Sequence, residues 1–186
     1  MERENEGVPV TPSLFVTATD TGVGKTFICC HLAELIRESG RKVGVLKPFS
    51  AGDLDDAIGL SRASGDEGPR NQVSLLFCRR PLTPAAQIGL GQPGQKIVEK
   101  TFFQSVATLK GLQQKKEMVL VEGLGGVLAP LGGPYFVVDL MSRLNLPVWV
   151  VARAGLGTLN HTLLTLEALK NRGLITRRIL LNGFKG

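Results

Sequence analysis

The chain has 186 residues, 43% of them apolar and 20% charged, and its 22 basic and 16 acidic side chains give a formal net charge of +6. About eighty apolar residues suffice for one sizeable core, which argues against a disordered, collagen-like or multidomain chain. The basic residues are scattered, as in Arg79-Arg80, Lys115-Lys116 and Arg177-Arg178, with no interleaved aromatics, so they read as a solvated surface rather than a nucleic-acid face.

In chain order, residues 1–12 read as a flexible N-terminal arm and residues 13–186 as a single α/β domain. Ser13-Leu-Phe-Val-Thr17 has the composition of a buried strand. A glycine-containing turn, Thr19 to Gly24, leads into a helix whose predicted apolar face is Ile28, Leu32, Leu35 and Ile36, with Gly40 at its C-terminal cap. Lys42-Val-Gly-Val-Leu-Lys47 reads as a second strand stopped by Pro48. Strand, helix and strand within about thirty-five residues make a βαβ unit, which implies a parallel sheet and a right-handed crossover. Residues 48–95, dense in glycine and proline, read as long loops around one short helix near 55–64. Beyond them the spacing predicts a helix over 96–114, a strand at Met118-Val-Leu-Val121 and a short helix over 136–145. A strand follows at Pro147-Val-Trp-Val-Val-Ala152, then a helix over 158–172 and a last strand at Arg178-Ile-Leu-Leu181. Gly123 to Pro134 is too rich in glycine and proline for a regular element. The pattern is that of a doubly wound, mostly parallel sheet with helices on both faces. The chain stops four residues after Asn182, which is abrupt for such a domain and reads as either truncated or naturally short.

No run approaches the eighteen apolar residues of a membrane span, and the polar start lacks the apolar region of a signal peptide. Three cysteines, two of them adjacent (Cys29-Cys30), form neither a disulfide framework nor, with only His31 and His161, a Cys/His metal site. These features point to a reduced, cytoplasmic protein with no membrane partner.

The chemistry concentrates at strand ends. Thr19-Asp-Thr-Gly-Val-Gly-Lys-Thr26 lies between a strand and a helix. Gly22 and Gly24 let the backbone turn its N–H groups inward, toward the positive end of the helix. Lys25 can then reach β- and γ-phosphates, and the Thr26 hydroxyl can ligate Mg²⁺. Thr19 stands where a strict phosphate-loop pattern has glycine. Lys47, at the end of the next strand, is placed to hold an anionic substrate or a transferring phosphoryl group. Asp56 and Glu122 are read as Mg²⁺ ligands, direct or through water, whereas Asp53 and Asp55 read as helix-start caps and Asp139 as structural. Gly155 to His161 forms another strand-to-helix turn whose free N–H groups could bind a carboxylate, with Asn160 adding a hydrogen bond and Thr158 as an N-cap. His31 reads as a packing or surface residue, and His161 stays ambiguous.

The order of these segments resembles the dethiobiotin synthetase family. The matching stretches are Phe15-Val-Thr-Ala-Thr-Asp-Thr-Gly-Val-Gly-Lys-Thr26, Lys47-Pro-Phe-Ser-Ala-Gly52, Val121-Glu-Gly-Leu-Gly-Gly126, Asp139-Leu140 with Leu146-Pro-Val148, Leu156-Gly-Thr-Leu-Asn-His161, and Asn182. They run in family order over nearly the whole chain. The resemblance implies a phosphate-loop nucleoside-triphosphatase fold and an ATP- and Mg²⁺-dependent ligase that carboxylates 7,8-diaminononanoate with CO₂ and closes a cyclic urea. It implies that Lys25 and the amides of Gly22, Val23, Gly24, Lys25 and Thr26 hold the phosphates, and that Thr26, Asp56 and Glu122 gather the metal. It further implies that Lys47 meets the carbamate and γ-phosphate, that Thr21 lines the diamine pocket, and that Asn182 faces adenine. The substrate carboxylate would meet Gly157, Thr158, Leu159 and Asn160 from the second subunit of a homodimer. The chain departs from the family pattern at Ala18, at Ala51 (a usual hydroxyl position, with Ser50 beside it to supply one) and at Ala85, a common histidine position. Two other readings remain at this stage: a cobyric acid synthase-like ATP-dependent enzyme, and a non-catalytic phosphate-loop regulatory module.

Overall fold

A computed structural model of the protein describes residues 12–66, 73–91 and 94–183. Most of the expected N-terminal arm thus lies outside the described residues. The elements are β1 (Ser13–Ala18), α1 (Lys25–Glu38), β2 (Val43–Ala51), α2 (Asp55–Ser64), β3 (Ser74–Cys78), α3 (Pro84–Ile88), α4 (Gln95–Gln113), β4 (Met118–Glu122), β5 (Pro130–Gly132), β6 (Tyr135–Phe136), α5 (Val137–Leu144), β7 (Val148–Arg153), α6 (Thr158–Lys170) and β8 (Thr176–Asn182). Six strands form one sheet in the order β3-β2-β4-β1-β7-β8, every neighbouring pair parallel. The remaining two, β5 and β6, make a small antiparallel hairpin.

Two apolar cores sandwich this sheet, as the pleat requires. Leu14, Val16 and Ala18 of β1 face one core, where they meet Cys29 and Ala33 of α1 and Ala57, Leu60 and Ala63 of α2. Phe15 points the other way, toward Val98, Phe102 and Leu109 of α4, Val138 and Met141 of α5 and Leu169 of α6. Helices cover both faces, as the doubly wound reading expects.

Several local expectations are corrected. Pro48 does not stop β2, which continues to Ala51. Pairing with β4 ends at Leu46 opposite Val121, so Pro48 falls where β3 alone still flanks the strand and a missing N–H is tolerated. The stretch read as loops holds β3 and α3 as well as the expected α2, and the stretch from Gly123 to Pro134 contains β5. The N-cap of α6 is Gly157, in the left-handed region, and Thr158 is the first helical residue. Leu35 is exposed, and Cys29 and Ala33 take the core positions, with Ile28, Leu32 and Ile36 at their sides.

Candidate active site

The central strand β1 delivers the chain to the turn Thr19–Gly24, where Gly22 and Gly24 adopt φ of 72° and 96°. Gly24 is required twice over, since a Cβ there would also collide with the Asn182 carboxamide. The first hydrogen bond of α1 runs from Ile28 N–H to the Gly24 carbonyl at 3.1 Å, so the amides of Lys25, Thr26 and Phe27 belong to the loop and to the positive end of the helix. Lys25 Nζ arches back over the turn and donates to the Asp20 carbonyl at 3.1 Å. Burial holds the Lys25 pKa below the ordinary lysine value, although Glu122 pulls in the opposite direction.

Beside the loop, three elements place charged groups together. Lys47 Nζ donates to Glu122 Oε1 at 2.7 Å and to Asp56 Oδ2. The same Glu122 oxygen accepts from Thr26 Oγ1 at 2.8 Å. Burial disfavours the Lys47 charge, but Glu122 and Asp56 outweigh it and hold its pKa above the ordinary value. Burial also opposes ionisation of Asp56, and there Lys47 and Thr26 prevail and draw its pKa down. At Glu122 burial wins, raising its pKa against the pull of Lys47.

The second Glu122 oxygen, Oε2, is buried and has no hydrogen-bond partner. An orphaned carboxylate oxygen beside a threonine hydroxyl and Asp56 fits a hard divalent cation. The described residues hold no cluster of three His, Cys, Asp or Glu. Mg²⁺ typically takes only one or two carboxylates and completes its shell with phosphates and water.

Two cavities meet at this rim. One, of about 300 Å³, is walled by the phosphate loop, Lys25, Thr26, Lys47, Asp56 and Glu122. The other, of about 500 Å³, is largely apolar, with Pro81, Leu82, Val127 and Leu164 in its walls and Asp20 and His161 at its polar positions. Thr21, Ala51, Leu124 and Gly125 border both.

The structure therefore brings together Thr21, Gly22, Gly24, Lys25, Thr26, Lys47, Asp56 and Glu122, all picked out from sequence. Asn182 stands on the opposite side of the loop, its Nδ2 donating to the Val23 carbonyl at 2.9 Å. Gly157–Asn160 open α6, and the next residue, His161, enters the larger cavity. Ser50 does not supply the hydroxyl missing at Ala51: it is buried against Ser74, whose Oγ donates to its Oγ at 2.8 Å, and it lines neither cavity. Asp139 is structural, accepting from Phe136 N–H at 2.8 Å and pairing with Arg172. Sequence reasoning assigned no role to the cavity wall of residues 81–83 and 124–129, although Val121–Gly126 stood out as a matching stretch. Burial pushes the Cys30 and Cys78 thiols up to about 11 and raises that of Cys29 as well, which disfavours the reactive thiolate.

A parallel sheet with a glycine-turned phosphate loop after its central strand, two lysines and a metal-ready carboxylate defines a phosphate-loop nucleotide-binding domain. Solved structures of the same fold include the kinase domain of Escherichia coli tyrosine kinase ETK (TM-score 0.59, 20% identity, 93% of this chain and 68% of that one). Another is the MinD cell division protein of Aquifex aeolicus (TM-score 0.53, 13% identity, 94% and 70%). At such identities the likeness is one of fold alone. A family profile described as an AAA domain matches residues 12–186. The ATP-dependent dethiobiotin synthetase BioD of Endomicrobium trichonymphae is 41% identical over 179 residues, covering 92% of this chain and 79% of its own. Those of Bacillus licheniformis (40%; 91% and 72%) and Methanocaldococcus jannaschii (33%; 91% and 78%) are similar over the same extent. The chain belongs to the ATP-dependent dethiobiotin synthetase family.

Proposed function

We propose that this chain carboxylates 7,8-diaminononanoate with CO₂ and closes the cyclic urea of dethiobiotin, using ATP and Mg²⁺. The observation that carries the reading is the junction at Thr21 and Ala51 of a phosphate-sized polar cavity with a larger apolar one. An alkyl carboxylate bearing two amines needs such a pair of cavities, with its hydrocarbon in the apolar one and its reacting nitrogens at the boundary.

One amine adds to CO₂ and gives up a proton, producing a carbamate. A carbamate oxygen attacks the γ-phosphorus, the bond to the β-phosphate oxygen breaks, and ADP leaves. The second amine then attacks the carbamoyl carbon of the mixed anhydride, phosphate departs, a proton is released and the ring closes. The protein's part is alignment and charge stabilisation rather than covalent chemistry. Lys47, held by Glu122 and Asp56, faces the carbamate and the γ-phosphate, and Thr21 orients the diamine. The amides of residues 22–26 and Lys25 cradle the phosphates. Thr26, Asp56 and Glu122 would hold Mg²⁺, which would supply neutralising charge beside the phosphates. Asn182 faces the adenine.

The substrate carboxylate is received by the amides of Gly157–Asn160 at the start of α6 in a second copy of the chain. Supporting this, Leu156, Leu159, Leu163 and Leu164 form an exposed apolar patch around that helix start. The working protein is then a homodimer. Its free thiols and the absence, among the described residues, of a helix long and apolar enough to cross a membrane accord with work in the cytoplasm.

The deciding experiment incubates purified protein with ATP, Mg²⁺, labelled bicarbonate and 7,8-diaminononanoate. Acid-stable labelled dethiobiotin that disappears in Lys25→Ala supports the reading. ATP binding without product would overturn it in favour of a regulatory module or another substrate.

A further inference from the structure

Phe27, in the first turn of α1 beside the phosphate loop, is an aromatic residue that the reaction above does not use. It directly follows Thr26 and is 55% exposed. Within 4 Å of the point where Gly24 would carry a Cβ lie both the Asn182 carboxamide and, at 3.9 Å, the Phe27 Cβ. The Asn182 carboxamide and the base of the Phe27 side chain therefore flank the same glycine of the phosphate loop. His31, one turn further along α1, backs the ring: the centroids are 4.2 Å apart and tilted by 38°, and the His31 Nδ1 lies 3.1 Å from the Phe27 carbonyl. An exposed aromatic braced from behind is a held surface rather than a loose one.

The direction of a bound nucleotide follows from the sheet order. Lys47, Asp56 and Glu122 gather on the β2–β4 side of the phosphate loop, which marks the reacting, terminal phosphate. Asn182 ends β8 on the opposite side. A phosphate chain laid across the loop amides with its reacting end at Lys47 leaves past the amide of Phe27, the last one before helical bonding begins at Ile28. The next group along that chain is the nucleoside, and Phe27 and Asn182 are the side chains that meet it there.

We propose that the Phe27 ring, braced by His31, is one wall of the nucleoside subsite and packs against the base or ribose while Asn182 addresses its polar edge. This deepens the ATP-dependent reading and rests on it. The test compares Mg²⁺–ATP with Mg²⁺–tripolyphosphate, which shares the phosphates and lacks the nucleoside, by calorimetric titration. Phe27→Ala is expected to weaken ATP about tenfold, within the range of base–aromatic stacking, and to leave tripolyphosphate unchanged. Phe27→Tyr should restore ATP binding, and because the side chain is exposed the melting temperature of both variants should stay near that of the parent. Equal weakening of both ligands, or of neither, would overturn the proposal. If the unmodified protein binds neither ligand, the ATP-dependent reading itself fails, and this assignment falls with it.

Discussion

Lys47 places an ammonium where water barely reaches, its side chain being 4% exposed, and only Glu122 and Asp56 make that charge tolerable. Removing it strands the fully buried Glu122. Lys47→Met is therefore expected to lower stability by about 3–5 kcal/mol at neutral pH in urea unfolding, and to abolish turnover while ATP binding persists. Adding Glu122→Gln should recover much of the stability and none of the turnover. The pH dependence has a definite sign. Below the ordinary glutamate value of 4.5, Glu122 is protonated in the folded and unfolded chain alike, so the deficit of Lys47→Met should narrow as pH falls toward it. In the unmodified protein Lys47, with its pKa raised, stabilises fully below its ordinary value of 10.5, and that contribution is lost as pH rises through the higher folded value. Lys25 has the opposite character, because burial lowers its pKa and its charge weakens the ligand-free fold. Lys25→Met should stabilise the ligand-free protein by about 1 kcal/mol while eliminating nucleotide binding. That gain should shrink as pH rises toward 10.5 and the folded lysine sheds its proton first. Both lysines were legible in the sequence, Lys25 from the Gly-Lys-Thr turn that opens α1 and Lys47 from the end of the strand read as Lys42–Lys47, although β2 runs on to Ala51. Their different electrostatic situations were not, since Lys47 and Glu122 lie 75 residues apart.

At the scale of elements, the phosphate loop is latched to the last strand. Asn182 of β8 holds the Val23 carbonyl and fills the space that a side chain at residue 24 would need. Gly24→Ala is expected to cost at least 2 kcal/mol and to eliminate nucleotide binding, because left-handed strain and steric overlap coincide there. Pairing it with Asn182→Ala should recover only the overlap. Helix α5 offers a control away from the site. Asp139→Ala removes an N-terminal cap and an ion pair with Arg172, and should lower stability by about 1–2 kcal/mol without changing activity per folded molecule. The helices and central strands could be read from periodicity to within a residue or two. What escaped was short or exceptional: β3 lies in a stretch crowded by glycines and prolines, and α3 has five residues. Pro48 misled because its effect depends on which neighbour flanks the strand, and a single strand's sequence does not contain that information.

At the scale of the molecule, the insertion of β4 between β1 and β2 builds the site. A βαβ unit read alone would set β1 beside β2, with Lys47 next to the phosphate loop and Glu122 elsewhere. The actual order puts β4 between them, so Glu122 emerges between Thr26 and Lys47 and bonds to both. This is why the sequence supplied the membership of the site but not its wiring. The same architecture leaves the start of α6 uncovered, with Leu156 fully exposed and Leu159 77% exposed beside the amides of Gly157–Asn160. A second copy seated on that face would bury the leucines and bring its own helix start toward the apolar cavity of the first. If the site is shared in this way, specific activity should fall on dilution as dimers part, and sedimentation should show the loss of dimer over the same concentration range. Leu159→Glu together with Leu163→Glu should give a folded monomer with an unchanged affinity for Mg²⁺–ATP, since the phosphate loop lies within one chain, and a KM for the diamine raised about tenfold or more. A monomer of full activity, or a parent protein whose activity per molecule ignores dilution far below the dimer midpoint, would place the whole site within one chain and leave the leucines without that role.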